Sequence, residues 1–110
     1  MPVNSPKEFM ETVLPEKLSD PKQLEGLVMA MQFDITGDNG GLWVLEIKDQ
    51  KAVIEEGTFD KPTIAIEMKD TNYLKLVNGE LSGQKAFMTG KLKFKGDMNV
   101  GMKLQELGII

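Results

Sequence analysis

Covalent catalysis and metal binding draw first on histidine and cysteine, and this 110-residue sequence contains neither. The commonest general base and the two commonest transition-metal ligands are therefore missing, and no disulfide can form. Carboxylates, lysines and hydroxyls remain, so their spacing decides what they can do. Glu55-Glu56 is the only adjacent acidic pair; on a strand its members face opposite sides, which suits a solvated edge better than an acid–base pair. Asp34, Thr36 and Asp38 are spaced like the start of a calcium loop. Its sixth and twelfth positions would be Asn39 and Leu45 rather than Gly and Glu, so a hairpin turn is the better reading. Gly90-Lys91 falls short of a phosphate loop, with Lys85 at the earlier glycine position and Leu92 in place of Ser or Thr. Ser82, Lys85 and Asp97 are the nearest approach to a hydrolase or thioesterase set, and they lack a histidine base and a nucleophile elbow. The sequence points away from an enzyme, and no cofactor or metal is expected.

Two other groups of residues could bind without reacting. Lys91, Lys93 and Lys95 share one face of an alternating stretch, either as a solvated surface or as an attractor for anions such as lipid headgroups. Eight methionines are present, and Met29, Met31, Met68, Met88, Met98 and Met102 fall inside predicted elements. Such flexible, polarizable side chains fill cores or adapt to variable apolar partners, and periodicity does not separate the two. The net charge of -4 argues against nucleic acid as a partner. Residues 81–110 nevertheless hold five lysines against two acids, whereas residues 1–80 hold eight against fifteen.

The elements that must position these residues can be read from pattern. Ser5-Pro6-Lys7-Glu8 has the form of a capping box, opening a helix with the stripe Phe9, Met10, Val13 and Leu14, which Pro15 should end or kink. The stripe suits packing on a sheet, and it would also allow transient contact with a membrane surface. Asp20-Pro21 marks a short helical turn. Leu27, Met29, Met31, Phe33 and Ile35 then alternate as a strand. The turn Thr36 to Gly41 leads to a second strand, Leu42 to Lys48, with Trp43, Leu45 and Ile47 on one face. Asp49-Gln50 turns into a third strand, Lys51 to Glu56, and Ile64 to Lys69 gives a fourth, the whole reading as a meander. Asp70 can cap a helix carrying Tyr73, Leu74, Leu76 and Val77, and Ser82 a shorter one. Lys91 to Lys95 is a fifth strand, and Asp97 can cap a last helix toward Leu107. The fold class is α+β: a single domain over residues 1–110, with a mainly antiparallel five-stranded sheet flanked by helices.

The run Gln84-Lys85-Ala86-Phe87, then Gly90-Lys91-Leu92-Lys93-Phe94-Lys95-Gly96, then Met102-Lys103-Leu104-Gln105 closely resembles the sterol carrier protein-2 family. The strand pair Phe33 to Thr36 and Trp43 to Ile47 matches as well. The resemblance begins near Phe9 and implies a tunnel between sheet and helices that holds a fatty acid, fatty acyl-CoA or sterol. It places Trp43, Gln84, Phe87, Phe94, Met98, Met102 and Gln105 in the tunnel wall. Gln84 or Gln105 would hold the ligand's polar end, and the lysine face would attract its headgroup. Gly101 and Gly108 weaken the last helix, which could then act as a lid.

The chain ends at Leu107-Gly108-Ile109-Ile110 without a peroxisomal tripeptide, so a stand-alone, prokaryotic-type member is expected, with acyl chains favoured over sterols. The first residues show no apolar signal region, which makes the cytoplasm the default location. The competing reading is an interaction or dimerisation module with a filled core and no lipid, and a dimer is compatible with either.

Overall fold

In the computed structural model, which describes residues 3–110, the expected helix start is in place: Ser5 Oγ accepts from the Glu8 N–H at 3.1 Å. The Glu8 carboxylate reaches back to the Asn4 N–H at 2.9 Å, completing a reciprocal cap one residue earlier than the simplest capping box. Helix α1 (Pro6–Glu8) runs into a π-helical stretch (Phe9–Val13) and on into α2 (Leu14–Lys17). Pro15, expected to end or kink the helix, does not end it. The wider turn, in which the Leu14 N–H donates to Phe9 O, supplies a local adjustment that lets the helix run on past a residue without an N–H. Phe9, Met10 and Leu14 are fully buried and Val13 half-buried, so this stripe packs on the sheet.

The described residues form one five-stranded sheet in the order β3-β2-β1-β4-β5. Its strands are β1 (Met29–Thr36), β2 (Gly41–Lys48), β3 (Lys51–Glu56), β4 (Ile64–Lys69) and β5 (Leu92–Lys95). The first three make the expected meander, joined between β2 and β3 by Asp49 and Gln50, both at positive φ as a tight two-residue hairpin requires. The fourth strand departs from it. Chain 57–63 recrosses the sheet and β4 pairs parallel with β1, Met31 opposite Ile64 and Phe33 opposite Ile66. Gln32, on the outward face of β1, pins that crossing. Its amide nitrogen donates to Trp43 O and Gly57 O at 3.1 Å, and its Oε1 accepts from the Phe59 N–H at 2.8 Å.

The inward face carries Met29, Met31, Phe33, Ile35, Trp43, Leu45, Ile47, Ile64, Ile66 and Met68, all buried against the helices. Helix α3 (Asp70–Val77) contributes Tyr73, whose ring meets Phe9 and Phe33 edge-on at 5.9 and 6.1 Å between centroids. Burial pushes the Tyr73 hydroxyl pKa above its usual range, so it stays a neutral donor to Ile109 O at 3.2 Å. Asp70 is the first helical residue rather than the cap. Its carboxylate accepts instead from the Asn39 N–H at 3.0 Å and the Thr71 N–H at 2.8 Å, tying the β1–β2 turn to α3.

Two predictions follow from these ties. The Asn39 N–H, outweighing the opposite push of burial and helped by the Thr71 N–H and the Lys69 charge, holds the Asp70 carboxyl below the ordinary carboxylate range. Its stabilising contribution is therefore full above the unfolded-state pKa of about 3.9 and is lost as pH falls through the lower folded value. Asp70→Asn should destabilise the fold at neutral pH, with the gap to the parent closing in acid; denaturant melts across that range that stay parallel would refute the assignment. Gln32→Ala should cost about 1–2 kcal/mol and speed amide exchange within 57–63, and unchanged exchange there would show that the crossing does not depend on Gln32.

Candidate functional site

Helix α4 (Gly83–Met88) starts where Ser82 Oγ accepts from the Lys85 N–H at 3.1 Å. It stops at Gly90, whose φ of 79° lets the Lys91 N–H reach Ala86 O at 2.8 Å and its own N–H reach Phe87 O at 3.2 Å. That turn sends the chain into β5, where Leu92 and Phe94 face inward opposite Met68 and Ile66. Helix α5 (Met98–Glu106) is capped by Asp97, which accepts from the Asn99 N–H at 2.8 Å. It ends in the same motif at Gly108, with Ile109 N–H on Leu104 O at 3.0 Å and Gly108 N–H on Gln105 O at 3.1 Å. Gly108 therefore closes the helix and is no weak point within it, contrary to the lid reading of that residue. Leu104 and Ile109 are both fully buried at this junction.

Between α4, β5 and α5 lies a cavity of about 270 Å³, open to solvent on one side. Gln84 and Phe87 of α4, Phe94 of β5, and Met98, Met102 and Gln105 of α5 line it, so the structure brings together six of the seven residues singled out in the sequence. Phe87, Met98 and Met102 are large apolar side chains left 45%, 56% and 63% exposed at its mouth. Gln84 and Gln105 are exposed amides on the same rim. The hollow sits at the β5 edge; the middle of the sheet is filled by Phe9, Met10, Leu14 and Tyr73, so the apolar space is narrower and more peripheral than a tunnel running between sheet and helices.

Trp43 is the seventh residue, and it lies elsewhere. Strands β1 and β4 stand between β2 and β5, a separation of roughly 14 Å across the sheet. Its indole, 4% exposed, faces a separate hollow bordered by Met10, Pro15 and Ile54, and its Nε1–H finds no hydrogen-bond partner among the described residues. The lysine face also points away. Strand alternation that turns Phe94 inward turns Lys93 and Lys95 outward, where Lys93 pairs with Glu67 at 3.2 Å, and Lys91 precedes the strand. Those lysines are on the wrong side of the sheet to hold a headgroup at this cavity.

Gly83, Leu92, Gly101 and Ile110 also line the cavity and were not expected there. Leu92 shares the β5 face of Phe94, and Gly101 falls three residues after Met98 and four before Gln105, so period alone could have found both. Ile110 carries no such signal, since it arrives only because the chain turns back at Gly108.

The arrangement offers an apolar wall with two neutral amides at its rim and no activated nucleophile. Comparison with known proteins gives a consistent picture. Hydroxysteroid dehydrogenase-like protein 2 of Bos taurus is 36% identical over 77 residues, covering 69% of this chain but only 18% of that protein's length. The solution structure of sterol carrier protein domain 2 of Helicoverpa armigera superposes with a TM-score of 0.78 at 27% identity, over 98% of this chain and 91% of that one. Palmitated SCP2L2 from Aedes aegypti superposes at 0.74 with 21% identity, over 92% of each chain, a likeness of fold. The model of the SCP-2 sterol transfer family matches residues 8–108, the whole of the sheet and both helices around the cavity, and the chain belongs to that family.

Proposed function

We propose that this chain is a non-enzymatic carrier that holds a fatty acyl chain in the cavity between α4, β5 and α5. The observation that carries this reading is the wall itself: Phe87, Leu92, Phe94, Met98 and Met102 converge on one hollow, with polar groups only at its rim. Binding needs no covalent step, since each methylene moved from water to an apolar wall contributes roughly 0.8 kcal/mol. The volume of about 270 Å³ falls just below the roughly 300–1,000 Å³ usual for small-molecule sites. That suits one flexible chain better than a rigid fused-ring sterol. A bound chain would also cover the exposed faces of Phe87, Met98 and Met102, while Gln84 or Gln105 would hydrogen-bond its polar end. A palmitated neighbour of the same fold supports the choice of ligand class.

Two observations weigh against turnover. The hydroxyl oxygen of Ser82 caps α4 and the carboxylate of Asp97 caps α5, so both are engaged in holding the helices that frame the cavity. An interaction module with a filled core is the less economical reading, because the space is present and apolar.

Native mass spectrometry of the protein mixed with fatty acids, acyl-CoAs and sterols tests the reading, with retained fatty acyl adducts as the expected result. Met102→Glu, at a position 63% exposed, should leave stability within about 0.5 kcal/mol of the parent and abolish the adducts. A stable dimer that takes up no lipid would replace the carrier with the interaction module.

A further inference from the structure

Most glycines of this chain sit at positive φ, where a side chain would be strained, but Gly101 does not. It is an ordinary buried residue in the middle of α5, a position at which glycine weakens a helix relative to alanine. Backbone freedom gives no reason for it. Space does. A Cβ at residue 101 would come within 2.9 Å of Phe94 Cζ, too close for the ring to stay where it is, and within a tight 3.1 Å of Cε2. The tip of the Phe94 ring therefore lies against the bare backbone of α5.

We infer that Gly101 is a specificity-determining residue: by letting Phe94 rest against α5, it sets the width of the cavity and so the shape of apolar ligand admitted. This rests on the carrier reading above. The direction of the effect follows from what surrounds the ring. Phe94 stands opposite Ile66, which is 2% exposed, and beside Leu92 at 4%, so there is no room for retreat into the core. The ring's free side is the cavity, which Phe94 and Gly101 both line. A methyl group at residue 101 must push the ring into that space. Removing the ring must widen it.

The test measures binding of hexadecanoic acid and of cholesterol to the full chain by native mass spectrometry and isothermal titration, with a thermal melt for each variant. Gly101→Ala should weaken hexadecanoate binding by about tenfold, equivalent to ~1.4 kcal/mol, while its melting temperature stays within about 5 °C of the parent because alanine's helix preference offsets the crowding. Adding Phe94→Leu to Gly101→Ala should restore hexadecanoate affinity. Phe94→Leu alone should raise cholesterol affinity relative to hexadecanoate by at least about threefold, and this arm decides the matter if Gly101→Ala fails to fold. Parent and Gly101→Ala binding hexadecanoate equally well would overturn the gate while leaving the carrier intact. So would a Phe94→Leu variant whose preference is unchanged. Failure of the parent to bind hexadecanoate, cholesterol or any other lipid in the panel would instead remove the carrier reading, and the gate with it.

Discussion

Strand β1 is hydrogen-bonded on both sides, antiparallel to β2 and parallel to β4, and almost every other placement follows from that parallel pair. Two parallel neighbours cannot be joined by a tight turn, so the chain must finish β3 and travel back before β4 can begin. It does so along 57–63, held by Gln32 and by the Thr63 N–H on Ala30 O at 2.7 Å. The crossing places β4 on the far side of β1 from the hairpin. Strand β5, α4 and α5 are then built onto that far side, which is why the cavity lies at an edge and Trp43 at a distance from it.

One face of the sheet receives all the helices, and they fill it unevenly. The π-helical stretch, α2 and α3 bring Phe9, Met10, Leu14 and Tyr73 over β1 and its neighbours, giving a dense core. The β5 side is covered by a six-residue helix and a nine-residue one, over a strand of four. These pieces are too short to close the space between them. They are nonetheless firmly set: both helices have side-chain N-caps and glycine C-terminal turns, and the Tyr73 hydroxyl fastens Ile109. The hollow thus has rigid sides and, in its methionines, a soft rim.

What could be read in the sequence was local, and what could not was global. Capping at Ser5, Ser82 and Asp97, the alternation of Met29 through Ile35, and the Asp49-Gln50 hairpin each depend on residues a few positions apart, and all are present. The family motif, which lies within Gln84 to Gln105, likewise gathered six residues around one cavity. The meander misplaced β4 because nothing in Ile64 to Lys69 records whether its partner is β3 or β1; that choice is made by Gln32 and the crossing, 27 residues apart in sequence at the Phe59 bond. Trp43 was grouped with the wall by the family resemblance, and the strand order, with β1 and β4 between β2 and β5, keeps it away from the cavity. At Pro15, of the two outcomes expected, the helix does not end: a π turn carries it past a residue that normally stops or kinks a helix.

The methionines, ambiguous in composition, separate cleanly in space, and the separation has an energetic meaning. Met10, Met29, Met31 and Met68 are within the core, whereas Met88, Met98 and Met102 are exposed on the two helices beside the cavity. A sealed void of about 270 Å³ would cost on the order of 6 kcal/mol at ~24 cal/mol per Å³, comparable to the whole stability of a domain this size. Opening the hollow to solvent avoids that cost but leaves apolar side chains wetted. Flexible thioethers at the mouth suit this situation, because they can lie across the opening when it is empty and swing aside around a ligand without moving the backbone. The wetted wall is then a reserve of hydrophobic free energy that is released only when an apolar molecule enters.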